Sequence, residues 1–279
     1  MPYETLKVTT EHKVAHVSLN RPDALNAFNM QMFFEMKACF EALSTDPGVR
    51  AIVLSGGGRF FTAGLDLKEA AASLLSGKGS GDAGRDREQF RRHVLDLQSC
   101  QTAIDQCRVP VIAAVHSGCL GAGVDVVTAC DIRIMSQDAW FTIQEINVGI
   151  VADIGTLQRI PHQLPLGVIK DLAYTGRKLK ADEALRLGFV ASVEADRAAT
   201  IEAALAKARE IAGKSPLAVA GCKQVINYQR DQTVANGLDY VATWNAGMLQ
   251  GPDVQKAVEA VLTRQIADFD DLLADKDHP

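Results

Sequence analysis

Three carboxylates stand where a sequence ordinarily carries no charge. Asp125 follows Gly123-Val124, Glu145 lies in Gln144-Glu145-Ile146-Asn147-Val148-Gly149, and Asp153 lies in Ile150-Val151-Ala152-Asp153-Ile154-Gly155, all among apolar neighbours. A carboxyl group in apolar surroundings resists ionisation and can exchange protons near neutrality, which is the chemistry of a general acid or base. Each residue also has a plainer reading. Asp125 would serve as an ion-pair partner, Glu145 as a solvated loop residue, and Asp153 as the N-cap of a helix starting near Ile154.

Two glycine-bearing loops accompany the carboxylates, each placed where a predicted strand gives way to a helix. They are Arg59-Phe60-Phe61-Thr62-Ala63-Gly64-Leu65-Asp66-Leu67 and Ser117-Gly118-Cys119-Leu120-Gly121-Ala122-Gly123-Val124-Asp125. Unpaired backbone N–H groups at two facing helix starts would hold a developing oxyanion, whereas the plainer reading is tight turns and close packing of small residues. Other patterns carry less. Gly79-Ser80-Gly81-Asp82-Ala83-Gly84 spells G-x-G-x-x-G but follows no strand and sets an acid where phosphate would sit. Gly77-Lys78-Gly79-Ser80 lacks the earlier glycine of a phosphate loop, and no G-x-S-x-G elbow occurs. His116 and Cys119 form a lone H-x-x-C pair and the histidines do not cluster at ligand spacing, so no metal site is expected and His116 reads as a core residue.

The elements that must carry these residues follow an alternating pattern. Strands are predicted at Lys13–Leu19, Ala51–Leu54, Val109–Val115, Ile132–Met135 and Ala139–Ile143, from alternation or short β-branched runs. Helices are predicted at about Asn26–Leu43, after Leu67, at Arg87–Gln106, and from the second glycine loop onward. Ser76–Gly84 reads as an exposed polar loop. Alternating strands and helices imply an α/β class with right-handed crossovers. From about Ala198 the strand signals stop, and Thr200–Ala212, Leu217–Gln229, Thr233–Met248 and Val254–Ile266 read as helices whose apolar faces pack on the core or on another subunit.

The 279 residues amount to between one and two domains at roughly 150 residues each. Composition is 47% hydrophobic and 23% charged, which excludes disordered and fibrous classes. With 29 basic against 34 acidic side chains and no basic run, nucleic acid is not an expected partner. The longest stretch without charge, Val109–Val124, falls short of the roughly 20 residues of a membrane span, so no membrane insertion is expected. Neither end reads as an address, and the scattered cysteines suit a reducing compartment. The expectation is a cytoplasmic protein.

Taken in order, Asn20-Arg21-Pro22, Ala24-Leu25-Asn26-Ala27, Phe61-Thr62-Ala63-Gly64-Leu65-Asp66-Leu67, Pro110-Val111-Ile112-Ala113-Ala114-Val115 and Ala129-Cys130-Asp131 resemble the crotonase, or enoyl-CoA hydratase/isomerase, family from about Val14 to Val193. The resemblance implies an α/β fold of ββα units wound as a superhelix, with a core over 1–197 that holds the acyl-CoA site and a helical oligomerisation region over 198–279. It implies homotrimers, or homohexamers of two trimers. The implied ligand is an acyl-CoA thioester, with no further cofactor because coenzyme A belongs to the substrate.

Carried onto this sequence, the oxyanion donors are the amides of Leu65 and Ala122. Ala63, Gly64, Asp66, Leu67 and Gly121 lie around them, and Arg21 and Lys68 are candidate CoA contacts. Ser117 departs from the glycine usual in the family. Hydratases of the family resemble a two-glutamate site at the positions of Asp125 and Glu145 and carry glycine at that of Asp153. The set Asp125, Glu145 and Asp153 is instead similar to the family's Δ3,5-Δ2,4-dienoyl-CoA isomerases, which act in the β-oxidation of unsaturated fatty acids. An enoyl-CoA hydratase, a Δ3-Δ2-enoyl-CoA isomerase and a catalytically silent binding scaffold are the alternatives.

Overall fold

The computed structural model describes residues 3–69 and 80–274. Strands β1 (Leu6–Glu11) and β2 (Val14–Leu19) form an antiparallel hairpin. Its turn residues, His12 and Lys13, both adopt left-handed backbone. That turn lacks the Asn-Gly or Gly signal by which hairpins are read, so β1 is invisible to sequence patterning. Strands β3 (Ala51–Gly56), β4 (Val111–Val115), β6 (Ile132–Ser136) and β9 (Ser192–Glu194) continue the sheet in parallel, in the order β1-β2-β3-β4-β6-β9. A smaller sheet holds β5 (Gly118–Leu120), β7 (Trp140–Thr142) and β8 (Leu179–Lys180).

The chain coils through both sheets in ββα steps. One turn runs from β4 through β5 into helix α3 (Ala122–Ala129), and the next from β6 through β7. Successive turns stack in parallel, Ile112 opposite Ile132 in the large sheet and Gly118 opposite Trp140 in the small one. The preceding turn, from β3, joins the small sheet at a single parallel bridge between Thr62 and Cys119. Stacking of consecutive turns is what brings the two glycine loops side by side.

Strands β3 and β4 are buried along their whole length because helices cover both faces of the sheet. On one side, helix α1 (Met30–Thr45) contributes Phe33, Met36 and Phe40 to the main core. On the other, helix α7 (Arg197–Ala212) lays Ala204, Ala208 and Ala212 against Ala51, Val53, Ile112 and Ala114. The spacing of those alanines, four residues apart, gives a flat stripe that lets the helix approach the sheet closely. The first of the C-terminal helices therefore packs on the core. Helices α8 (Pro216–Gln229), α9 (Val234–Met248) and α10 (Pro252–Thr263) follow, the last two with Val234, Leu238, Val261 and Leu262 exposed.

Along the chain between β7 and β9 come the short helices α4 (Thr156–Arg159), α5 (Leu166–Thr175) and α6 (Ala181–Arg186). Helix α2 (Ala83–Asp105) begins where Asp82 caps the amides of Gly84 and Arg85. Asp82 in the G-x-G-x-x-G string is thus a helix cap. The remainder of the loop expected over Ser76–Gly84, up to residue 79, lies outside the described residues, as does most of the helix expected after Leu67, of which Leu67–Glu69 are helical. Helix α1 starts at Met30, later than the expected Asn26, with the Asn29 side chain accepting from the Met32 amide.

Candidate active site

The floor of the site is set by Asn26, which is fully buried and held in left-handed backbone. Its amide group donates to the carbonyls of Gly57, Phe60 and Phe61, and its carbonyl accepts the Arg21 amide at 2.9 Å. The Thr62 hydroxyl donates to the backbone carbonyl of Asn26 at 2.6 Å and accepts the Gly64 amide at 3.1 Å. Two small polar side chains thereby fix the first glycine loop against the end of β3. Sequence reasoning passed over both in a functional sense. A Thr two residues before a glycine was the available signal, since a hydroxyl at that spacing closes a local turn.

Gly64 has φ +86°, and a Cβ there would stand 2.8 Å from the Leu120 carbonyl oxygen and 3.7 Å from the Ala122 nitrogen. Only glycine permits this approach of the two loops. The bridge between Phe28 and Leu65 uses the amides of Phe28 and Asp66, bonded to the carbonyls of Gly64 and Phe28 at 2.7 and 2.9 Å. The Leu65 amide is left without a hydrogen bond among the described residues. The Ala122 amide is equally free, being the first of α3 behind a Gly121 that offers no capping side chain. Two unpaired N–H groups from adjacent loops are therefore available to one anionic oxygen. Ser117 takes left-handed backbone, φ +50°, at the position where the family usually has glycine.

The cations are placed unequally. Arg21 pairs with Asp66 at 3.2 Å and also donates to the Ala27 carbonyl, so its guanidinium braces the first loop. Lys68 is exposed and has no ion pair among the described residues.

Of the three carboxylates, Asp125 is completely buried on the first turn of α3. Its Oδ1 accepts the Thr156 amide at 2.6 Å, while Oδ2 has no hydrogen-bond partner. It forms no ion pair among the described residues. Burial pushes its pKa up to about 6, partly offset by Thr156. Asp125 caps the helix that sequence reasoning assigned to Asp153, since α4 starts only at Thr156, behind Gly155. Glu145 sits on a single 3-10 turn, Gln144–Val148, with Oε1 3.2 Å from where a Gly121 Cβ would be. Burial pushes its pKa up to about 7, and the negative charges of Asp125 and Asp153 add to the effect. Asp153 is exposed, and its carboxylate has neither a hydrogen bond nor an ion pair among the described residues. The charge of Asp153 bears on both Asp125 and Glu145, and that of Asp125 on Glu145. No group of three or more His, Cys, Asp or Glu among the described residues is arranged to hold a metal ion, and no helix among them is long and apolar enough to cross a membrane.

The raised pKa of Asp125 has a consequence for stability. A carboxyl that ionises less readily folded than unfolded contributes fully at low pH, and the contribution is lost as pH rises through about 6. The loss amounts to about 3 kcal/mol by pH 8, at 1.36 kcal/mol per pKa unit. In Asp125→Asn, whose side-chain oxygen still accepts from Thr156, the fall between pH 4 and pH 8 is expected to shrink by the share of Asp125, leaving the part due to Glu145. Urea unfolding of parent and variant at both pH values measures it, and equal slopes would refute the assignment.

The model of the enoyl-CoA hydratase/isomerase family matches residues 9–271. The mitochondrial Δ3,5-Δ2,4-dienoyl-CoA isomerase of Homo sapiens is 48% identical over 260 residues, 92% of this chain and 79% of that protein. The peroxisomal Δ3,5-Δ2,4-dienoyl-CoA isomerase of Arabidopsis thaliana is 42% identical over 266 residues, 94% of this chain and 96% of the relative. Among solved structures, a putative enoyl-CoA hydratase from Streptomyces coelicolor superimposes with a TM-score of 0.87 at 29% identity, covering 96% of this chain and 94% of that one. The relatives' names correct one expectation, since they are mitochondrial or peroxisomal and a cytoplasmic location finds no support in them. The ββα superhelix expected from sequence is the fold observed, and on the match over residues 9–271 the chain belongs to the enoyl-CoA hydratase/isomerase family.

Proposed function

We propose that this chain is a Δ3,5-Δ2,4-dienoyl-CoA isomerase, working by proton transfer between two carboxylates around a backbone oxyanion hole. The observation that carries the reading is the pairing of an exposed, unpartnered Asp153 with a half-buried Glu145 beside two unbonded amides. The relatives that share 42–48% of their residues with it and bear that name support the same reaction.

The substrate is a 3-trans,5-cis-dienoyl-CoA whose thioester oxygen accepts from the Leu65 and Ala122 amides. Asp153 takes a proton from C2 and the C–H electron pair enters the conjugated chain as a dienolate. Glu145, whose protonated form burial favours, delivers a proton at C6, and the double bonds settle at C2 and C4. The carbons that lose and gain hydrogen lie too far apart for one short carboxylate. Each acid or base step supplies roughly 10²- to 10⁴-fold and one oxyanion donor about 3 kcal/mol, so the devices act together. Asp125, bonded to the Thr156 amide, supports the segment that carries Asp153.

Exposed Ile146, Ile150 and Val151 beside the carboxylates suit an acyl chain, and Lys68 suits a CoA phosphate. The thioester carbonyl is itself the electron sink, so the reaction draws on no cofactor beyond the coenzyme A of the substrate. Homotrimers or homohexamers fit the apolar side chains exposed on α9 and α10.

Purified protein incubated with a 3,5-dienoyl-CoA is expected to produce the absorbance of a conjugated 2,4-diene. Hydration of a 2-enoyl-CoA without diene formation would replace this reading with that of a hydratase.

A further inference from the structure

Helix α2 turns one polar face toward the segment that carries Asp153. Gln98, Thr102 and Asp105 follow one another at spacings of four and three residues, which aligns them along a single stripe of the helix. The Gln98 amide donates to the backbone carbonyl of Asp153 itself, at 2.6 Å. Thr102 and Asp105 engage Arg159, at 3.3 Å from Nη2 and 3.5 Å from Nε. Arg159 in turn lies flat on the chain at Gly155, where its Nη1 stands 1.8 Å from the position of a Cβ. Gly155 has φ +137°, so no other residue would fit under that guanidinium.

The clamp and the segment border one cavity of about 820 Å³, lined by Gln98, Asp105, Ile154, Gly155, Arg159 and Tyr240 among others. The stretch from Gly149 to Gly155 has no helix or strand of its own. Its ends are tied by the Gly149 and Ile150 amides on the Ile146 and Glu145 carbonyls, at 3.3 and 3.1 Å, and by the Arg159 amide on the Gly155 carbonyl at 3.1 Å, with Gln98 on Asp153 between them and the Thr156 amide on Asp125 just beyond. Among the described residues nothing binds the Asp153 carboxylate directly, so its aim is set by the backbone that bears it.

We infer that Gln98 and Arg159 are positioning residues for Asp153: a clamp built on α2 fixes the backbone of the segment beside the cavity and holds the carboxylate at C2 of the substrate. The inference rests on the isomerase reading and assigns no contact with substrate to either residue. Asp105 ties the clamp outward, since its other oxygen accepts Arg230 at 2.9 Å and its carbonyl accepts Asn227 at 3.1 Å, fastening the same device to α8 and the residue that follows it.

Gln98→Met keeps the length of the side chain and removes the donor. With a 3,5-dienoyl-CoA it is expected to lower kcat roughly tenfold or more, because a carboxylate displaced by a fraction of an ångström loses its line to the proton. KM should stay within about twofold and Tm unchanged, since Gln98 is half exposed and touches neither thioester nor core. The isotope effect on kcat for substrate deuterated at C2 should equal or exceed that of the parent, because proton removal becomes more limiting. Gln98→Glu at pH 8, which also lacks the donor, is expected to show the same loss and serves should the first variant fold poorly. A loss below threefold, a loss carried by KM, or an isotope effect that falls toward one overturns the inference. If the parent chain itself forms no 2,4-diene, the reaction assigned above is what fails.

Discussion

Asp153→Asn leaves a protein that binds acyl-CoA and scarcely turns over. The expected loss in kcat for 3,5-dienoyl-CoA is about 10²- to 10⁴-fold, the range of a general base. The amide has the shape of the carboxylate but cannot take the C2 proton. Binding survives because the Leu65 and Ala122 amides are backbone groups that the substitution does not touch. Folding survives because Asp153 is exposed and its side chain bonds to nothing among the described residues. Diene absorbance gives the rate, and calorimetric titration with a saturated acyl-CoA gives the affinity. A variant that keeps more than a tenth of parental turnover removes Asp153 from the role of base.

Glu145→Gln carries the second large effect, and here pH is the sharper readout. A group that must deliver a proton has to hold it beforehand, and burial raises the pKa of Glu145 to about 7. Parental kcat/KM is therefore expected to fall as pH rises through about 7, while the ionised fraction of Glu145 in the free enzyme grows. Glutamine has no proton to lose or give, so the variant should show both a loss of about 10²- to 10⁴-fold and the disappearance of that alkaline limb from its residual activity. A rate profile of the parent that stays flat from pH 6 to pH 9, or a variant that retains the limb, excludes Glu145 as the acid.

Much of the backbone geometry of the candidate site could be read from the sequence because glycines at turns announce themselves. Gly64 and Gly121 mark the two loops, and the observed φ of +86° and +48° shows why those residues are glycine. The three carboxylates stood out against apolar neighbours for the same reason that two of them titrate late. The central strands β3 and β4 were legible as short apolar runs. What escaped was whatever depended on long-range partners. Strand β1 is recognisable only once β2 lies beside it, and β8 and β9 are too short to show a period. Asn26 looked like the start of a helix because its buried amide bonds reach residues more than thirty positions away. Asp153 was weighed as a cap, yet the capping group comes from Asp125, 31 residues upstream of Thr156.

The bridge between Thr62 and Cys119 has a final implication for how this architecture tolerates change. The two proposed oxyanion donors are 57 positions apart in the chain, Leu65 against Ala122, yet each follows its own bridge residue by three. Neighbouring strands are spaced by about 4.8 Å whatever chain joins them. The gauge of the anion pocket is thus inherited from the hydrogen-bond ladder, and lengthening the intervening connection exacts only a slowly growing closure entropy. Catalytic calibration and peripheral length variation are mechanically decoupled, which leaves the outer connections open to divergence among substrates while the reactive centre keeps its dimensions.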